Sequence, residues 1–284
     1  MPPADPPNLS AGRTDQPAAG GRSAPLRRWS WLAVLIVGLT LYEIVRQAYL
    51  NTANANLVPS LLLLGAVTGP ATFVVFIYGR DWHFDVGGAT VMAVGFVGGI
   101  IGVTAASLLE YHTLVTLGSL PLFAVAVIEE AVKLAAPLAV LLLVPGSRRP
   151  ANGLLLGVAS GAGFAIMETL GYSAVELIQS HENVAEVNTL LLRRGLFSPT
   201  THMAWTGLTA TALWYAAAQG WHIRGLAVFA AVFLAVSVLH ATWDASNSLA
   251  GYVAIGLVSL AAFIVVADRV AHASRTHQPG QAEP

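Results

Sequence analysis

The chain has 284 residues, 55% of them hydrophobic and only 10% charged, with a formal net charge of −1 and a mean hydropathy of +0.66. That composition lies far outside the soluble globular range, and without a basic excess it argues against nucleic-acid binding. Cysteine is absent, which excludes a disulfide framework, a thiolate nucleophile and a cysteine metal ligand.

Residues 1–25 are rich in Pro, Gly and Ser and carry no apolar period, so they read as a disordered cytoplasmic tail. Eight apolar stretches long enough to cross a ~30 Å hydrocarbon layer follow. They lie near residues 29–47, 57–79, 86–108, 119–144, 151–175, 195–218, 225–249 and 252–267. The expected fold is therefore all-α: a polytopic membrane protein whose eight helices form one bundle over residues 26–270, ending in a short cytoplasmic tail at 271–284. Ala53-Asn54-Ala55 resembles a signal-cleavage site, but the preceding segment is too long and is interrupted by Arg46, so the first span is read as retained.

With the N-terminus inside, ten arginines fall on the cytoplasmic side, from Arg13 in the tail to Arg275, and only Arg46, Arg193 and Arg194 on the other. The positive-inside rule thus favours cytoplasmic N- and C-termini. The Arg-over-Lys bias points by association to a bacterial, cytoplasmic-membrane protein.

The fourth span contains Glu129, Glu130 and Lys133 within one helical turn. Each ionisable group at the bilayer centre costs about 2.5–3.5 kcal/mol on insertion scales, so such groups persist where they face a polar cavity and have partners. The following spans supply them: Glu168 in the fifth, Arg194 and His202 in the sixth, His240 and Asp244 in the seventh. In the expected topology all of these lie between the membrane middle and the extracytoplasmic surface. Lys133 is i,i+4 from Glu129 and i,i+3 from Glu130, so it can reach either carboxylate. The two glutamates diverge by about 100° around the axis and therefore take different jobs. His240 and Asp244 share a face, with Trp243 beside them. Gly153, Gly157 and Gly161 form a small-residue stripe that lets helices approach, and Glu168, seven residues on, shares its face. The glycines of span three, Gly95, Gly98, Gly99 and Gly102, read as packing alone. Four carboxylates facing two fixed cations leave a negative balance, to be met by protons, histidinium or a divalent metal. The HExxH and GxSxG signatures are absent.

Glu129-Glu130-Ala131-Val132-Lys133 is an EExxK pattern, Phe164 to Glu168 an FxxxE pattern and His240 to Asp244 an HxxxD pattern, with Arg194 and His202 flanking Ser198-Pro199 between them. In order and spacing these resemble the PrsW-type intramembrane proteases, which are related to the CAAX prenyl proteases and the wider CPBP group. The CAAX-type patterns, EExxxR, FxxxH and HxxxN, differ at Lys133, Glu168 and Asp244, which disfavours a prenylated substrate. The resemblance implies an endopeptidase that cleaves a membrane-anchored, anti-sigma-factor-like protein near the extracytoplasmic face. One of the Glu129-Glu130 pair, with Glu129 preferred, would activate water, and Lys133 would hold the pair. His202 or His240 would orient the water or protonate the leaving amine, and Asp244 would fix His240. Glu168 is either a second carboxylate at the water or a partner of Arg194, while Phe164 and Trp243 give support. If a divalent metal such as Zn2+ takes part, His202, His240 and Glu168 are the candidate ligands. The expected partners are thus that substrate and the lipid bilayer. The competing classes are a proton- or ion-coupled transporter, disfavoured by the lack of an inverted repeat, and a non-catalytic membrane scaffold.

Overall fold

The computed structural model describes residues 24–276 apart from Asp81, Pro145, Ser147 and Glu182. Residues 1–23 and 277–284, which make up most of the two expected tails, lie outside the described residues. Among the described residues every element is helical: α1 (Ala24–Thr52), α2 (Val58–Tyr78), α3 (Gly88–Leu117), α4 (Leu122–Lys133), α5 (Ala135–Leu143), α6 (Pro150–Gln179), α7 (Val184–Phe197), α8 (His202–Ala218), α9 (Ile223–Asp244) and α10 (Leu249–Thr276), with 3₁₀ turns before α2 and α8. Six of these segments, ending in α1, α2, α3, α6, α9 and α10, are long and apolar enough to cross a membrane.

The expected count of eight is therefore not reproduced, and the two differences have local causes. The fourth predicted span breaks at Leu134 into α4 and α5, of 12 and 9 residues. Pro137 has no N–H to give the carbonyl of Lys133 four residues back, so the helical ladder is interrupted there. The freed carbonyl accepts instead from the Ser160 hydroxyl of α6 at 2.6 Å. The sixth predicted span starts late. Ser198-Pro199-Thr200 forms a 3₁₀ turn, and α8 begins at His202 with 17 residues, while Arg194 belongs to the last turn of a separate helix, α7.

The bundle is built around α6, in which every residue from Ala151 to Ala165 is buried. Hydrocarbon offers no hydrophobic drive between helices, so close backbone approach through small residues supplies the packing. A Cβ at Gly153, Gly157 or Gly161 would meet the carbonyl oxygens of Ala210, Thr206 and His202 respectively. The descending partner numbers make α6 and α8 antiparallel. On another face of α6 the pairing ascends: Gly95 lies against Ala159 and Gly163, Gly99 against Gly163, and Gly102 against the Phe164 ring. Hence α3 and α6 run parallel, and the α3 glycines pack as expected. A second cluster joins α1, α2 and α7 through Tyr42, Leu61, Ala66, Val187 and Leu191, with the Tyr42 hydroxyl donating to Asn188 Oδ1 at 2.8 Å.

The contact at Gly163 carries a direct test. Gly163→Ala forces a methyl onto the Gly95 carbonyl, whereas Gly171→Ala meets nothing within 4 Å. Overpacking of this kind costs about 1–3 kcal/mol, while alanine is the better helix former in open space. Thermal unfolding in detergent should show a lowered Tm for Gly163→Ala and an equal or raised Tm for Gly171→Ala.

Candidate active site

Lys133 is the last residue of α4, and its side chain is fully buried. Its ammonium donates to Glu129 Oε2 at 3.1 Å, to Glu130 Oε1 at 2.9 Å and to His202 Nδ1 at 2.9 Å. Three N–H bonds and three acceptors saturate it. The Phe164 ring of α6 lies beneath the charge, 4.2 Å from Nζ to its centroid. A cation at a helix C-terminus also meets the negative end of the helix dipole.

The lysine fixes the tautomer of His202, the first residue of α8. An ammonium has only donors, so Nδ1 is the acceptor and the proton sits on Nε2, which lies 3.0 Å from Glu168 Oε2. The same carboxylate oxygen accepts from Arg194 Nη2 at 2.5 Å, and Arg194 Nε donates to Thr169 Oγ1 at 2.8 Å. The chain Lys133–His202–Glu168–Arg194 thus runs from α4 through α8 and α6 to α7.

A second branch leads to α9. His240 Nδ1 is 2.9 Å from Glu130 Oε1, so it donates its proton to that carboxylate. Its Nε2 faces Glu129 Oε2 and Asp244 Oδ2, each 3.6 Å away, beyond hydrogen-bond distance. The imidazole is clamped by the buried Trp205 indole, stacked at 4.9 Å between centroids, and Trp205 is itself tied to α10 by a 2.9 Å bond from Nε1 to Ser259 Oγ. Trp243 packs on Tyr252 and edge-on to Phe197 at the rim.

All seven candidate catalytic residues, Glu129, Glu130, Lys133, Glu168, His202, His240 and Asp244, therefore meet in one network, with Arg194, Phe164 and Trp243 around it. The two glutamates differ in surroundings: the Glu129 side chain keeps 11% of its surface exposed and Glu130 none. On the Glu168–Arg194 side a cavity of about 420 Å³ opens, lined among others by Tyr172, Arg193, Ser198, Thr201, Trp243 and Tyr252. Apart from Ser198, none of its Tyr, Ser or Thr side chains stood out in the sequence, where isolated hydroxyl residues carry no spacing signal. Glu110 of α3 was missed as well, because the third span was expected to end at 108.

Glu129, His202 and His240 each offer one donor atom, all within 4.8 Å of one another. A carboxylate and two imidazoles form a donor set of the kind that catalytic zinc sites use. The orientation of His240, with one nitrogen donating to a carboxylate and the other left open, is the usual posture of a metal-ligating histidine. The residues present fit a divalent ion on these grounds, with His202 exchanging one of its present partners for the metal. Glu168, expected as a candidate ligand, instead has Oε2 engaged by Arg194 and His202.

No curated protein and no solved structure matches the chain. The family model described as PrsW family intramembrane metalloprotease matches residues 83–268, a stretch that includes every residue of the network. The chain belongs to the PrsW family of intramembrane metalloproteases, and is a multi-pass membrane protease.

Proposed function

We propose that this protease cleaves a membrane-anchored protein, of the anti-sigma-factor type, close to the extracytoplasmic face of a bacterial cytoplasmic membrane. The positive-inside bias supports cytoplasmic termini. In that orientation the C-terminal ends of α3, α6 and α9 and the N-terminal ends of α4, α8 and α10 share the outer pole, and the network lies toward it.

Glu129 acts as the general base. The observation that carries this assignment is the contrast within the pair: Glu130 is sealed between Lys133 and His240, whereas Glu129 keeps an exposed edge and bonds Lys133 through Oε2 alone. Its Oε1 is left to take a proton from water as the oxygen adds to the scissile carbonyl. Asp244 Oδ2 offers an acceptor for the second water proton, and Glu130, holding His240 Nδ1–H, keeps Nε2 of that ring open. Glu129 then returns its proton to the leaving amine nitrogen as the C–N bond breaks. A divalent metal such as Zn2+, held by Glu129, His202 and His240, would supply Lewis acidity at the same place.

Lys133 keeps two adjacent carboxylates charged and in place. Glu168 and Arg194 hold His202 from the far side, which gives both a positioning role.

Three outcomes follow. In proteoliposomes with single-pass substrates, Glu129→Gln should reduce cleavage about 10²–10⁴-fold, the usual contribution of a general base, while leaving Tm near that of the wild type. Retention of wild-type turnover would sink the assignment. Lys133→Met should unfold more readily, because breaking a buried pair costs about 3–5 kcal/mol, and Glu130→Gln in the same chain should recover part of that loss. Thermal melts of the single and double variants read this coupling. Purified wild-type protein should hold a stoichiometric divalent metal that is stripped by a chelator and lost in His240→Ala, as measured by elemental analysis.

A further inference from the structure

The glycine contacts that join α3 to α6 stop at Gly102 and Phe164. Beyond them α3 has no further glycine before Gly118, and Ala106 is the last fully buried residue of the helix. From Ser107 to Leu117 every residue of α3 is exposed except Glu110 and Thr113, which are partly covered. The opposing stretch of α6 is open too: a Cβ at Gly171 would meet nothing within 4 Å, and Tyr172 and Val175 are about half exposed. Beyond the glycine register the outer faces of α3 and α6 are thus exposed and largely apolar.

Glu110 is one of the two partly covered residues of that stretch of α3. It continues the inward stripe of Gly98, Gly102 and Ala106 at four-residue spacing. It lies seven residues before the end of α3, and Glu129 lies seven residues after the start of α4. Across the short connection between these antiparallel helices, both sit about 10 Å from the turn, so Glu110 is level with Glu129. Glu110 Oε1 is buried, and nothing among the described residues donates to it. A buried carboxylate oxygen without a donor is costly and calls for one.

We propose that Glu110 is a substrate-binding residue, accepting a hydrogen bond from a backbone N–H of the substrate as its chain enters between α3 and α6. This rests on the proteolytic reading above. A peptide bond is reached by Glu129 only if the substrate helix is locally extended, which releases backbone N–H groups. In hydrocarbon such groups need an acceptor, and Glu110 offers one at the height where cleavage occurs. The occupant is thus an apolar single-span segment that unwinds near its end.

The test uses full-length protein in proteoliposomes and a fluorogenic single-span Leu/Ala peptide with a central Gly-Gly pair. Glu110→Gln keeps an acceptor oxygen and should leave KM within about twofold. Glu110→Leu removes it and should raise KM about tenfold with kcat nearly unchanged, the effect of one lost buried hydrogen bond. Because the leucine replaces an unpartnered carboxylate on a largely apolar face, its Tm should equal or exceed that of the wild type. A lowered Tm with unchanged KM would mark Glu110 as structural and overturn the proposal, as would a fall in kcat alone. Binding of the labelled peptide is also measured in the Glu129→Gln background. There, adding Glu110→Leu should weaken Kd about tenfold, and an unchanged Kd, or no binding at all, overturns the proposal. If wild type and Glu129→Gln prove equally active, the general-base assignment fails while this Kd comparison still judges Glu110.

Discussion

The ammonium of Lys133 is the interaction on which the remainder of the site depends. It is a fully buried cation bonded to Glu129, Glu130 and His202, so it links α4 to α8 and, through the Phe164 ring, to α6. Without it, two carboxylates one residue apart would share a low-dielectric cavity, a situation a protein avoids by giving up one of the charges. With it, both can remain ionised, and each is free for a different partner. The lysine also sets protonation further away. By occupying His202 Nδ1 it puts the proton on Nε2, which is what allows His202 to donate to Glu168 and so reach Arg194 on α7.

A cation so placed needs a backbone built for it. The break of α4 at Lys133 comes from Pro137, and the carbonyl that the proline leaves unpaired is taken by Ser160 of α6. The same serine lies against Gly98 of α3, where a Cβ would collide with its hydroxyl at 2.7 Å. The glycine therefore makes room for a hydroxyl that satisfies a carbonyl freed by a proline, and the lysine hangs from that carbonyl's residue. Each step answers a backbone hydrogen-bonding demand that the bilayer makes absolute.

Much of this was legible in the sequence because helical periodicity needs no tertiary information. The i,i+3 and i,i+4 offsets of Lys133 from the two glutamates correspond to the bonds observed, and the four-residue glycine stripe of α6 is the face that meets α8. The misreadings occurred where hydropathy alone set the boundaries. Arg194 and His202 are eight residues apart in an apolar context, but Ser198-Pro199 turns the chain between them, so the arginine approaches from α7 and meets the histidine through Glu168 rather than along one helix. The interruption at Leu134 had its signal in Pro137, outweighed by the uniform apolarity around it. Glu110 was set outside a span because its charge ended the apolar stretch.

The closure of the bundle and the chemistry of its site are coupled at Phe164. Below it, α3 and α6 are held together by glycines that bring backbone onto backbone, and Gly102, against the Phe164 ring, is the last of them. Its ring fills the space left by Gly102, carries the Lys133 ammonium and lies 5.6 Å from the His202 ring. A smaller side chain at 164 would leave the lysine without its aromatic floor and let the sealed lower half open toward the polar network. A larger one would press α3 away from α6. The position of one aromatic residue in the glycine register thus joins the packing of α3 on α6 to the sheltering of the buried charges.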